Sequence, residues 1–241
     1  MLRSRGPKSK NESSKETLEF FKYAIREIIL VVIGILIAVS INNWNEHRKN
    51  KNELRNIFIM VKEDIQNDIT EINEVLTWYE KIKPTFAQVL KDSISREDYL
   101  QNQTIAYLIL GYPEISFDQR GFKLLSDYNE SHNDYSDTLV QNIVDFYTER
   151  MLEIQVDEKL RAGDFEDNFN HWKTGHEWWA EYIYDKKIDR FLDYALYSKD
   201  YKNRVATSHF LTYDVYLPEL RKFKGLGLKI VKAIEENTPE G

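Results

Sequence analysis

Two hydrophobic patterns follow one another along the first third of the chain. In "EIILVVIGILIAVSINNWNEHRKN" (Glu27 to Asn50), fourteen residues from Ile28 to Ile41 carry no charge, and only Gly34 and Ser40 interrupt the apolar run. From Leu54 the pattern changes: Leu54, Phe58, Val61, Ile65, Ile69, Ile72 and Leu76 recur at spacings of three and four. The first pattern suits a helix that is apolar on every side, the second an amphipathic helix with one apolar stripe. Polarity rises at Asn45, but no helix breaker follows until Pro84. One helix is therefore predicted to run to Lys83, where the proline ends or kinks it. Residues 45–83 would form a stalk about 58 Å long at 1.5 Å per residue.

Three readings compete for the apolar run. A buried soluble helix would need apolar partners on all sides, and the chain has no second such segment. A cleaved signal peptide is favoured by the small residues Ala38-Val39-Ser40 but opposed by the long preceding region and by Glu27. A membrane anchor needs roughly 20 residues, more than the fourteen present. The flanks extend it: Phe20, Phe21, Tyr23, Ala24 and Ile25 precede the run and Trp44 follows. Lys22 and Arg26 can snorkel, and Tyr23 and Trp44 stand where interfacial aromatic belts lie. The anchor is therefore assigned to 18–44, with Ile28, Gly34, Ala38, Ile41 and Trp44 among its residues and the bilayer as its first partner. Lys8, Lys10, Lys15, Lys22 and Arg26 before it face Arg48, Lys49, Lys51 and Arg55 after it. This small excess, with Arg3 and Arg5, places the N-terminus in the cytoplasm and the body outside. Gly34 and Ala38 form a small-xxx-small pair that would suit a helix dimer. The stripe that follows either pairs two chains in a parallel coiled coil or packs on later helices of the same chain.

Beyond Pro84, "TFAQVLKDSI" and "REDYLQNQTIAYLILGYP" read as short helices. "SFDQRGFKLLSDYN" reads as a helix N-capped by Ser116. The clearest later helix runs from Asp134 to about Arg161, with Leu139, Ile143, Phe146, Met151, Ile154 and Val156 on one side and Gly163 as its C-cap. Helices at about 176–198 and 200–217 follow, and Pro218 separates the last from "ELRKFKGLGLKIVKAIEEN". The expected organisation is a flexible basic tail (1–17), anchor (18–44), stalk (45–83), helical body (84–236) and flexible end (237–241).

Composition supports an all-α fold. Nine glycines and five prolines in 241 residues are too few for the turns of an all-β chain. Residues 1–27 carry seven Lys/Arg and four Asp/Glu (+3), so the remainder sums to −10 of the net −7. An acidic body argues against nucleic acid as a partner. The absence of cysteine removes disulfides and thiolate chemistry.

The candidate chemistry is concentrated in "GDFEDNFNHWKTGHEWWAEYIYD", Gly163 to Asp185. Fourteen aromatics fall in the 52 residues from Phe165 to Tyr216. Asp167 and His171 are four apart and would share a helix face, so with His176 they could ligate a metal or act as base and orienter. No HExxH motif accompanies them, and Gly175 stands between the histidines. Trp172, Trp178, Trp179 and Tyr182 would form either an aromatic binding surface or packed core. His209 reads as a hydrogen-bonded core histidine. No phosphate loop or nucleophile elbow occurs, "GLGLK" lacks the context of a nucleotide motif, and no cofactor is implied. The expectation is a non-enzymatic binding or scaffold module with an unidentified protein partner or a second copy of itself. The rival is a membrane-tethered metal-dependent enzyme using Asp167, His171 and His176.

The apolar run ends in Asn42, Asn43, Trp44, Asn45 and Glu46. This block resembles the hallmark of an uncharacterised family of single-pass membrane proteins of Gram-negative bacteria. "GFKLLSDYNESHNDYSDTLVQNIVDFYTER" is similar to a looser central pattern of the same family, with Phe146-Tyr147 as its aromatic pair. Where that family often has a glycine after the Leu segment, this chain has Asp127, Tyr128 and Asn129. The resemblance implies a membrane-anchored helical protein and carries no catalytic residues; with the orientation expected from the flanking charges, the anchor is placed in the bacterial inner membrane and the body in the periplasm.

Overall fold

The computed structural model describes residues 10–132 and 138–238. Among them there is no strand. The elements are α1 (Lys10–Leu90), α2 (Arg96–Gln101), a 3-10 turn (Gln103–Tyr107), α3 (Arg120–His132), α4 (Thr138–Gly175), α5 (Trp179–Ile183), α6 (Asp189–Tyr197), α7 (Lys199–Phe210), a π turn (Leu211–Tyr216) and α8 (Leu217–Asn237). The chain divides into two compact units, Met1–Leu54 and Arg55–Gly241.

The first unit is helical from Lys10. Of the expected flexible tail, residues 1–9 lie outside the described residues, whereas 10–17 are helical rather than tail-like. Extending an existing helix adds one hydrogen bond per residue fixed, without the cost of nucleation. This helix is long and apolar enough to cross a membrane, with mean hydropathy 2.6 over its most apolar window, none of which is buried. Side chains of the signature pair with neighbours four residues away along the helix. Asn42 Nδ2 donates to Glu46 Oε1 at 3.1 Å, and the Arg48 guanidinium lies 5.7 Å from the Trp44 ring centre.

The second unit is a helical bundle. From Arg55, α1 buries Ile57, Phe58, Val61, Ile65, Ile69, Ile72, Val75 and Tyr79. The stripe therefore packs on later helices of its own chain and is not available as a coiled-coil seam. Two glycines let helices approach it. A Cβ on Gly121 of α3 would stand 2.6 Å from the backbone nitrogen of Val61, and one on Gly227 of α8 would stand 2.9 Å from Ile65 Cγ2. Leu54 and Leu76, expected on the stripe, lie at its half-buried margin.

Three expected helix ends are overridden by packing. Pro84 does not stop α1, which continues to Leu90. Its ring is exposed while Phe86 and Val89 are buried. A proline inside a helix costs about 3 kcal/mol, and burying two such side chains contributes about 1.5–3 kcal/mol each. The stop lies at Asp92, whose φ of 55° lets the Ser93 amide reach back to the Gln88 carbonyl at 2.9 Å. Gly163 is not a C-cap: no glycine among the described residues has positive φ, and α4 runs on to Gly175 with Asn168 and Trp172 buried. Val156, assigned to the buried side of this helix, is 52% exposed. Pro218 does not separate two helices, because α7, the π turn and α8 are contiguous. The π turn ends just before the proline, where the missing amide would otherwise break the α-ladder.

Ser116 does not N-cap α3, which starts at Arg120. Its amide instead donates to Glu71 Oε2 at 3.2 Å. The next amides of the same approach follow α1: Asp118 N donates to Asp68 Oδ1 at 2.8 Å and Gly121 N to Asp64 Oδ2 at 2.6 Å. The orphan donors at the start of α3 are thus satisfied by carboxylates on a distant helix.

Candidate binding site

The structure brings the residues of Gly163–Asp185 together, but not as a metal site. His171 Nε2 lies 3.1 Å from Asp200 Oδ2, and the His171 and His176 rings are 5.4 Å apart. Asp167 is drawn elsewhere, accepting from Arg204 Nη1 at 2.8 Å. Among the described residues no group of three or more His, Asp or Glu is placed to hold a metal ion. Asp200 Oδ2 also accepts from Tyr194 Oη and from Arg204 Nε at 3.1 Å. Burial works against the Asp200 carboxylate, but these hydrogen bonds outweigh it and hold the group below the usual carboxylate range. His176 is pushed below the ordinary imidazole value by burial and by neighbouring His171.

The aromatic cluster is core, not surface. Trp172 and Tyr182 have no exposure and Trp178 has 6%. Trp172 Nε1 donates to Tyr194 Oη at 3.1 Å, and Tyr182 Oη donates to the Ala106 carbonyl at 2.7 Å. Of the four residues expected as a binding surface only Trp179 is partly exposed, with its ring 5.0 Å from that of Phe169. Their polar tips find partners inside the fold, as buried Tyr and Trp generally do.

A second cluster, which sequence spacing did not single out, is built around Arg161 of α4. The residue is 5% exposed. Its guanidinium lies over three tyrosine rings, 5.4 Å from Tyr79, 4.6 Å from Tyr112 and 4.0 Å from Tyr216. Nη2 donates to Tyr79 Oη, and Nη1 is buried without a hydrogen-bond partner among the described residues. No carboxylate there stands within ion-pair distance of it. Removing a charge from water costs several kcal/mol, and cation–π contacts return about 0.5–2 kcal/mol each.

Each tyrosine comes from a different part of the chain: Tyr79 from α1, Tyr112 from the irregular segment before α3, Tyr216 from the π turn. The same π turn braces the cluster. Tyr213 Oη donates to the Tyr79 carbonyl at 2.7 Å, and Tyr216 Oη donates to Glu158 Oε1 at 3.1 Å. Burial pushes the Tyr79 phenol up to about 12, so it stays protonated. Burial also raises Glu158 and Asp164, with Tyr216 and Arg161 opposing the shift at Glu158.

Arg161, Tyr79, Tyr112, Asp164, Leu211 and Thr212 are among the residues lining a cavity of about 20 Å³. That is room for about one water-sized group. Trp78, Ile82, Leu108, Gly111 and Tyr112 line both this cavity and an adjoining groove of about 570 Å³. A buried donor beside a largely apolar groove is the ordinary layout of a small-molecule site.

Residues 27–109 match the model of a family of unknown function, DUF6090. The matched region begins at the apolar run, as the expected resemblance does, and covers about a third of the chain. It stops before "GFKLL", so the second block of that resemblance lies outside it. The DUF6090 region supplies Trp78, Tyr79, Leu108 and Ile109 to the cavity, whereas Arg161 and the π turn lie beyond it. No curated protein and no solved structure matches the chain.

Proposed function

We propose that this chain is a membrane-anchored, non-enzymatic helical binding or scaffold module. The observation that carries the reading is the helix through Leu18–Trp44, whose large apolar side chains are 46–70% exposed. Fifteen or more such side chains left in water would be a gross liability, and a bilayer removes it. The body fits a binding role better than a catalytic one, since Asp167, Asp200 and Arg204 hold one another in structural contacts. It also carries an apolar stripe, Leu152, Val156 and Leu160, exposed at one-turn spacing on α4. This stripe, not the buried tryptophans, is the surface offered to a protein partner.

In this reading the anchor sits in a bacterial inner membrane, with the N-terminus cytoplasmic and the body periplasmic. Gly34 and Ala38 provide a face for self-association within the bilayer. The test is affinity purification of the full-length protein from membranes, with alkaline carbonate extraction and protease accessibility in spheroplasts. Retention in the carbonate pellet, digestion of the body in intact spheroplasts and specific co-purifying proteins are expected. Stoichiometric metal in the purified protein, lost in an H171A/H176A double variant, would replace this reading with that of a metal-dependent enzyme.

A further inference from the structure

We infer that the Arg161 cavity and its adjoining groove bind a small organic carboxylate, one carboxylate oxygen meeting Arg161 Nη1 and a flat apolar body lying in the groove. This deepens the binding-module reading and rests on it.

The donor is the first ground. A guanidinium is always charged, and it offers hydrogen bonds in a planar fork suited to carboxylates. Here one arm is taken by Tyr79, a neutral phenol, and Nη1 is buried with no partner among the described residues. Cation–π contacts leave the fork edge available, because they use the guanidinium faces. An acceptor that also brings negative charge suits this group better than a neutral carbonyl, since hydrogen bonds between ionised partners are about twice as strong.

Size and charge narrow the class. A cavity of about 20 Å³ admits one oxygen-sized group, not a tetrahedral phosphate. Asp164 lines the same cavity and Glu158 is tied to Tyr216, so a doubly charged anion would meet repulsion. A single carboxylate would not carry that second charge. Any ammonium on the same molecule would meet Asp164, which distinguishes amino acids from simple acids. The groove offers Trp78, Tyr107, Leu108, Tyr112 and Pro113, rings and aliphatic surface on which a flat apolar body packs.

The π turn is the second ground. Such turns are rare and occur frequently at functional sites. This one places Leu211 and Thr212 in the cavity wall while Tyr213 and Tyr216 brace Tyr79 and Arg161.

The experiment is isothermal titration calorimetry of the detergent-solubilised full-length protein with benzoate and L-phenylalanine, each against its primary amide. Saturable binding of at least one acid is expected, with its amide about tenfold weaker or more. Tighter binding of L-phenylalanine than of 3-phenylpropionate would assign the ammonium contact at Asp164; equal binding of the two would assign a plain carboxylate. R161Q should lose the preference for acid over amide, and W78A, at a position 39% exposed, should weaken both alike. The inference is overturned if no acid gives saturable heat, if acid and amide bind equally, or if folded R161Q keeps the preference. The acid–amide comparison in the unaltered protein decides the matter even if R161Q does not fold. Failure here leaves the scaffold reading to stand or fall on its co-purifying proteins, which these titrations do not touch.

Discussion

The Gly121 amide donates a 2.6 Å hydrogen bond to the buried carboxylate of Asp64, joining the first turn of α3 to the middle of α1 across 57 residues of sequence. Asp64 is only 1% exposed, and Arg120 Nη2 stands 3.4 Å from its other oxygen. The bond serves as an N-cap supplied from another helix. It is possible because Gly121, lacking a side chain, lets the two backbones touch.

Closing that approach should be costly. In G121A the new methyl would meet the Val61 and Met60 backbone, which cannot move aside as a flexible side chain would. A loss of about 3 kcal/mol, the upper end for overpacking, is expected in urea-unfolding stability. D64A should cost about 2–3 kcal/mol by leaving the Gly121 amide unpaired. Their double mutant should lose less than the sum, because both changes disrupt the same junction.

One helical turn along, Asp68 is pushed up to about 7, chiefly by burial. The hydrogen bond from the Asp118 amide opposes this shift, while the carboxylates of Asp118, Asp64 and Glu71 add to it. Between its ordinary 3.8 and about 7 the folded state holds a proton that the unfolded chain has released. Stability from this group therefore falls as pH rises through that window and levels off above it. D68N should remove that slope and be the more stable protein at pH 8, by up to about 4 kcal/mol at roughly 1.4 kcal/mol per unit. Unfolding midpoints of both proteins between pH 4 and 8 check this; parallel curves would refute it.

Trp172 separates the two readings of the aromatic cluster. As a core residue with no exposure it should cost about 3–5 kcal/mol when replaced by alanine. As a surface residue it would cost within about 0.5 kcal/mol. Chemical denaturation of W172A distinguishes them.

The exposed apolar helix predicts a specific failure. Replacing Ile33 and Ile37 with aspartate adds about 2.5–3.5 kcal/mol per residue to membrane insertion. The double variant should move from the carbonate pellet to the supernatant, with far-UV circular dichroism showing the helical body retained. A variant that stays in the pellet would count against the anchor.

The helical class and the burial of Phe58 to Ile72 were legible from spacing alone, because an amphipathic period survives any tertiary arrangement that covers one face. His171 and His176 were legible as neighbours, but their role was not. Whether Asp167 joins them depends on Arg204, 37 residues away, which pairs with it instead. The Arg161 cluster left no local signal. Tyr79, Tyr112 and Tyr216 have no common period with Arg161, and an arginine at a helical position reads as a solvated charge until burial is known.

Sequence by itself determined that this chain is helical, that its first helix carries a fully apolar stretch and that a stripe beyond it must be covered. Local patterns suffice for these because each rests on near neighbours along the chain. Only the tertiary structure decided where helices stop and where a charge could be buried. Breakers such as Pro84 and Gly163 cost about 1–3 kcal/mol in a helix, less than the packing of the side chains beyond them supplies. A buried guanidinium is tolerated only where distant segments converge on it, and at Arg161 three of them do.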